Sequence, residues 1–471
     1  MTIPDAGRSP AEVLAALEAM RADDPPVRGG RVFAYVYDSG VETANEAALD
    51  ALASFGEVNA LDPTTFPSVA RIENELVGWG LDLMRAPESA VGLVTSGGTE
   101  SCILAVLAAR ERWVQDAGEG TPVVIVADTV HSAFHKAAHL LGLGVRTVPV
   151  DRSTMRLTAA DVRAALQDVG SEAALVVASA PSYAHGVVDE VEGIAAAAEE
   201  HGVPCHVDAC IGGITLAYAR INGDDVPAID FTIPGVASIS LDLHKYGFAP
   251  KGASLLLFRD PAYRSGTFFA FSSWPGYPVV NTTLQSTKSA GPMAAAWAAA
   301  QVLGNEGYQE AVRRARAATV QIVDIVDAIP GLRVVGTPDA TLVAIAGDDP
   351  EPIDPFRLAD AMRRRGWVLQ PQPSCNGMPR TVHLTVQPVS LESIGALADD
   401  LRAAAEEARA MPWADASSDL EAAFAAIPDL TSGEALPPEM ANVHALIDAL
   451  PPEVRDQALS AIFSAIFTAR R

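Results

Sequence analysis

The chain has 471 residues, 49% apolar and 20% charged, a globular composition long enough for two or three structural units. A formal charge of −26 argues against nucleic-acid binding, which needs clustered cations. No apolar run reaches membrane-spanning length, and the N-terminus MTIPDAGRSPAEV lacks the basic-then-apolar pattern of a signal peptide. Four cysteines in so long a chain suggest no disulfide framework, so a cytoplasmic protein is expected.

Residues 11–22 have the spacing of an amphipathic helix, which Pro25 and Pro26 end. A short aromatic-rich segment, 31–40, precedes helices near 44–55 and 68–84, with a turn-rich loop at 59–67 between the helices. From about residue 90 strands and helices alternate. Strands are expected at 91–95, 123–127, 145–150, 174–179, 204–207, 237–242 and 253–258, with helices near 99–117, 132–141, 158–168 and 190–200. Strands separated by helices of that length imply a mostly parallel sheet covered on both faces, an α/β fold. An Ala-rich helix over 292–327, weakened at Gly304 and Gly307, leads to a smaller α/β unit. That unit has strands at 332–336, 341–346 and 381–386 and helices at 355–365 and 391–409. Residues 415–471 are expected as helices broken by Pro437, Pro438, Pro451 and Pro452. They either pack on the small unit or cover a site entrance. The expected division is an N-terminal segment 1–62, a large domain 63–300, a small domain 301–412 and a helical extension 413–471.

Four short constellations carry chemistry. Thr95-Ser96-Gly97-Gly98-Thr99-Glu100-Ser101 follows a strand and opens a helix. Glycines let the backbone approach a ligand, the helix N-terminus offers free N–H groups to a phosphate, and Thr99 and Ser101 can add hydroxyl donors. His131 follows the next strand, where it could stack on a heteroaromatic ring or simply cap a helix. Asp208 ends an apolar strand in His206-Val207-Asp208-Ala209-Cys210. A carboxylate there needs a partner, such as a protonated pyridine nitrogen, or else caps the next helix. Cys205 and Cys210 flank His206 and Asp208, but the spacing fits no common zinc pattern and buried free thiols are expected. Lys245, in His244-Lys245-Tyr246-Gly247-Phe248-Ala249-Pro250-Lys251-Gly252, sits where a strand yields to a loop. Burial there should lower its pKa from about 10.4 and make the amine nucleophilic. A phosphate cradle, a ring-stacking group, a ring-nitrogen acid and a Schiff-base lysine together are the parts of a pyridoxal 5'-phosphate site.

With these motifs the sequence resembles the fold type I, group II pyridoxal phosphate-dependent decarboxylase family, and within it the sphingosine-1-phosphate lyases. The resemblance runs over roughly residues 30–390. TSGGTES, HSAFHKA, APSYAHGVVD, HVDACIGG and HKYGFAPKG carry it. It implies a large cofactor-binding domain with a smaller C-terminal α/β domain. Lys245 matches the lysine that holds the cofactor, Asp208 the ring-nitrogen partner and His131 the stacking histidine. Gly98, Thr99 and His244 match phosphate-site residues. Lys251 and Tyr37 match residues that handle protons or the substrate's polar head. The family implies a homodimer with shared active sites. Its Gly-Ser-Arg segment reaches over from the other copy and reads Ser286-Thr287-Lys288 here. Thr287 keeps a hydroxyl for the phosphate, whereas Lys288 loses the bidentate fork of Arg. Asp62 stands where the lyases have a His associated with the substrate phosphate, and a carboxylate there would repel phosphate. The expected reaction is retro-aldol cleavage of a small-molecule amino alcohol to an aldehyde and an amine. The same site residues also suit α-decarboxylation of aspartate, glutamate or an aromatic amino acid.

Overall fold

The computed structural model describes residues 3–116, 118–415 and 439–468. Seven strands form the large sheet: β1 (Val91–Thr95), β2 (Val123–Ala127), β3 (Gly144–Val148), β4 (Ala173–Ser179), β5 (Cys205–Asp208), β6 (Val236–Leu241) and β7 (Ser254–Phe258), in the order β1-β7-β6-β5-β4-β2-β3. Pairing is parallel from β3 through β6, while β7 runs antiparallel to both β6 and β1. Six of the seven strands therefore point their carboxyl ends at one edge, and ligands of open α/β sheets bind at such an edge. β4, AALVVAS, is buried along its whole length, as a strand covered on both faces must be. The expected strands and helices of this unit are present with ends shifted by a residue or two. The sequence reading missed the helix Gly212–Ile221 and the hairpin Phe269–Phe271 with Val279–Asn281.

The helix Gly291–Asp327 crosses to the small domain and is broken at Gly304, whose φ is 58°. Beyond it a four-stranded antiparallel sheet is backed by helices Pro355–Arg364 and Ile394–Arg409 around a second core. Phe33 belongs to that core, 6.1 Å from Trp367, and the amide of Thr385 donates to the Phe33 carbonyl. The aromatic N-terminal segment is thus pinned to the small domain, although Phe33 and Trp367 lie 367 − 33 = 334 positions apart in the chain.

The described part of the extension packs on the small domain. Asp360 accepts from the amides of Met440 and Ala441, capping the helix Ala441–Ala449, and Arg380 pairs with Asp448 at 3.1 Å. The expected breaks at Pro437 and Pro438 lie outside the described residues. Among the described residues no helix is long and apolar enough to cross a membrane.

Candidate active site

The strand ends converge on a cavity of about 400 Å³ whose lining includes Gly98, Thr99, His131, Asp208, His244 and Lys245. Direction explains the convergence, since β1, β2, β5 and β6 all deliver their following loops to the same edge. A side chain on Gly98 would meet the Asp242 carboxylate at 2.8 Å and Cys210 Sγ at 2.9 Å, so glycine is required for the helix Gly98–Gln115 to start this close to the site. Thr99 is exposed to the cavity, but Ser101 is fully buried and shares a hydrogen bond with Thr95 at 2.7 Å. Ser101 is thus not the phosphate donor expected from the sequence. Glu100 braces the cradle. Its carboxylate accepts from the Ser96 amide at 2.6 Å and from the Leu284 amide at 2.9 Å, tying the loop to the segment that carries Thr287.

Asp208 ends β5 and accepts from the Cys210 amide at 3.2 Å and the Ser240 hydroxyl at 3.3 Å. His131 stands exposed at the mouth, its Nδ1 accepting from the Ala133 amide at 3.2 Å, which leaves the ring face to the cavity. His206 is buried between the hydroxyls of Ser238 and Ser240, and burial pushes its pKa down to about 4, a neutral structural role. All four cysteines are free; Cys205 and Cys210 are buried as expected, and Cys102 is buried as well.

Lys245 follows β6 in a tight turn. Its amide donates to the Asp242 carbonyl, and a side chain on Gly247 would sit 2.3 Å from the Leu243 carbonyl oxygen. Its ammonium lies 2.8 Å from the Asp242 carboxylate, itself 1% exposed. Burial acts to lower the Lys245 pKa, but the Asp242 charge outweighs it and holds the pKa well above the ordinary value. The expectation of a depressed pKa is therefore wrong in the free amine, because the sequence reading did not pair Asp242 with the lysine. Asp242 in turn stays ionised, kept below the usual carboxylate range by Lys245 and His244 despite its burial. The missed signal was an acid three residues before the lysine on the same strand end.

Tyr37 and Lys251 do not line the cavity but meet beside it, the Lys251 ammonium 4.6 Å from the centre of the Tyr37 ring and that ring 5.2 Å from Tyr246. Lys251 also donates to the His244 carbonyl at 3.2 Å. Burial and the neighbouring Lys245 charge bring its pKa down to about 8. Burial raises the Tyr37 hydroxyl well above the usual range. Tyr183, also missed, lines the cavity, stacks on His383 at 4.3 Å and donates to Gln370 Oε1, linking the site to the small domain.

Besides Tyr37 and Lys251, Thr287, Lys288 and Asp62 also fall outside the cavity lining. Thr287 is exposed and does not line it. Lys288 is buried in an ion pair with Glu73 at 2.7 Å and donates to the Val94 carbonyl, a strut under β1. Asp62 lines a second cavity of about 780 Å³, beside Lys288 and the exposed hairpin. Its carboxylate accepts from the Thr64 amide and hydroxyl at 2.8 and 2.6 Å and from the Thr65 hydroxyl at 3.1 Å, closing its own turn. The expected repulsion of a substrate phosphate by Asp62 finds no support in that placement.

The residues present fit the expected cofactor. A glycine cradle opens a helix, a carboxylate faces the cavity from a strand end, a lysine stands beside it, and the buried His244 Nδ1 is left without a partner at the cradle. Residues 32–346 match the family described as pyridoxal-dependent decarboxylase conserved domain, and residues 398–465 match a pyridoxal-dependent enzyme C-terminal putative HTH domain. The chain is 34% identical over 408 residues to the sphingosine-1-phosphate lyase of Arabidopsis thaliana, covering 85% of this chain and 73% of that protein. It is 32% identical over 389 residues to sphingosine-1-phosphate lyase 1 of Rattus norvegicus, covering 82% and 66%. Among solved structures, the Burkholderia pseudomallei sphingosine-1-phosphate lyase superposes with a TM-score of 0.81 at 33% identity, covering 91% of this chain and 96% of the other. A Lactobacillus brevis glutamate decarboxylase shares the fold, with a TM-score of 0.77 at 21% identity and coverage of 88% and 96%.

Proposed function

The chain belongs to the pyridoxal-dependent decarboxylase family and is a pyridoxal phosphate-dependent lyase of fold type I, and from that premise we propose that it performs a retro-aldol cleavage. An amino alcohol, phosphorylated or not, would give an aldehyde and an amine, as the names of its sphingosine-1-phosphate lyase relatives suggest. When bound, the cofactor supplies an electron sink for the carbon left bearing charge as the bond breaks.

In this reading Gly98, Thr99 and His244 hold the phosphate at the helix N-terminus. With the cofactor bound, His131 would stack on the ring, Asp208 would hold the proton on the ring nitrogen, and Lys245 would be the covalent anchor. Asp242 orients the Lys245 amine and retains a proton there whenever the amine is free. Retro-aldol cleavage further needs a group that takes the substrate's hydroxyl proton. The observation that carries the reading is Lys251. It is a second lysine beside the cavity, bonded to the His244 carbonyl and 4.6 Å from the Tyr37 ring, with a pKa of about 8. A base poised near neutrality is suited to that transfer.

The reading extends to a homodimer in which Thr287 donates its hydroxyl to the phosphate bound by the neighbouring copy. Its support is the exposed apolar hairpin region, with Phe269, Phe271, Trp274, Tyr277 and Leu284 all above 40% exposed next to Thr287. A cytoplasmic location is supported by the four unpaired cysteines, as expected of a reducing compartment.

The test is a product assay. Purified protein is incubated with phosphorylated and unphosphorylated sphingoid bases, and separately with aspartate, glutamate and aromatic amino acids. Aldehyde without carbon dioxide is the expected result; carbon dioxide from an amino acid, with no aldehyde from any sphingoid base, overturns the lyase reading in favour of α-decarboxylation.

A further inference from the structure

Two thiols flank Asp208 and have no part in the chemistry above. Cys102 projects from the helix Gly98–Gln115, one turn into the phosphate cradle, and Cys210 follows β5 by two residues. Both line the cavity while being almost wholly buried, at 1% and 9% exposure. The two sulfurs and a carboxylate oxygen of Asp208 all lie within 4.8 Å of one another. The backbone holds this triangle from both sides. The Cys210 amide is bonded to the Asp208 carboxylate, and Cys210 Sγ reaches the Ser240 hydroxyl at 3.3 Å. Because the three ligands come from two distant parts of the chain, their sequence spacing shows no metal pattern.

We propose that Cys102, Asp208 and Cys210 form a site for one thiophilic divalent cation of the zinc or cadmium type in the cofactor-free protein, and that cation and cofactor exclude each other. Two thiolates and one carboxylate oxygen make three legs of a tetrahedron, and the cavity leaves the fourth position to water. Metal–sulfur bonds of about 2.3 Å put tetrahedral sulfurs roughly 3.8 Å apart, so a triangle with sides of 4.8 Å or less closes by side-chain rotation alone. Each cation bound expels two thiol protons, leaving the carboxylate's charge unchanged. The exclusion rests on the reading of Asp208 as the ring-nitrogen partner, since a carboxylate oxygen ligated to a cation inside the same cavity is not free to accept from a protonated ring.

The experiment uses full-length protein stripped of cofactor and titrated with cadmium chloride, following the ultraviolet thiolate-to-cadmium charge-transfer band. One equivalent per chain is expected. The band is lost in Cys102→Ser and in Cys210→Ala and retained in Cys375→Ser, which changes the exposed thiol; circular dichroism verifies folding, and Cys102→Ala replaces any variant that fails. Asp208→Asn keeps the band with affinity weakened roughly 10-fold or more. With cadmium at about ten times its Kd, the apparent affinity for pyridoxal phosphate falls roughly 10-fold and recovers with a chelator. A band of unchanged stoichiometry in folded Cys102→Ser or Cys102→Ala overturns the site. A cysteine-dependent band that persists while cofactor loads with undiminished affinity overturns the exclusion, whereas the role given to Asp208 falls only if Asp208→Asn retains cofactor as tightly as the parent.

Discussion

The floor and the rim of the cavity are built differently. The floor comes from strand ends: Asp208 closes β5, Asp242 and Lys245 follow β6, and Gly98 opens the helix after β1. These backbones are held by the sheet ladder and buried on both faces, so their positions are over-determined. The rim comes from loops and from remote chain. Tyr37 arrives with the segment pinned to the small domain, Lys251 lies beyond a turn, and Thr287 and Asp62 stand outside the cavity altogether. A lyase and a decarboxylase can thus share a floor while the rim sets which bond breaks, a division general to folds that graft function onto a fixed scaffold.

Substitutions sharpen this contrast. Lys245→Ala should show the largest effect, losing the cofactor's visible absorbance and about 10²–10⁴-fold in turnover, the scale of a lost catalytic group. Lys288→Ala breaks a buried ion pair and leaves Glu73 uncompensated, so it should cost about 3 kcal/mol in urea unfolding. A loss near zero would move Lys288 from strut to exposed rim. Asp208→Asn keeps the hydrogen bonds from Cys210 and Ser240 but removes the charge. Cofactor retention measured by dialysis should weaken roughly 10–100-fold, matching about 1.5–3 kcal/mol for a hydrogen bond to a charged group.

The rim residues should respond less. The sign for Lys251 follows from its pKa of about 8, below the ordinary lysine value of about 10.4. The amine is neutral, and able to accept a proton, above about pH 8. Turnover should rise through that pH and level off, and Lys251→Arg, always charged, should abolish the rise. Activity that falls through the same window would instead make the ammonium a binder of the substrate's anionic head. Asp62→His should change kcat/KM for a phosphorylated substrate by no more than about 2-fold, as befits a surface turn. A larger gain would return Asp62 to the substrate path.

The floor was legible in the sequence because each of its residues follows an apolar run, which fixes both strand and edge. What could not be read is pairing across strands. The antiparallel course of β7 has no signature in LLLF-type residues, whereas the Asp242–Lys245 pair is local, an acid three residues before the lysine, and overlooking it gives the lysine's pKa the wrong direction. The helix Gly212–Ile221 was hidden by two glycines that look like a turn. A side chain on Gly213 would meet Leu241 Cβ at 2.7 Å, so close packing against the sheet rather than a break explains that residue. The hairpin near 270–280 was missed because its strands are three residues long and lie against no core. Asp448, in the extension, accepts from the Ser374 amide at 2.6 Å, and Asn376 two residues on accepts from Arg152, which pairs with Asp128 just ahead of His131. No periodicity could have announced that chain of contacts.

The central claim is that the lysine ending β6, and not its neighbour at the rim, carries the cofactor. Borohydride reduction of cofactor-loaded protein followed by peptide mass mapping tests it directly. The account predicts a single pyridoxyl-phosphate mass shift on the peptide containing Lys245. A shift on Lys251, or no stable adduct on either lysine, would contradict it.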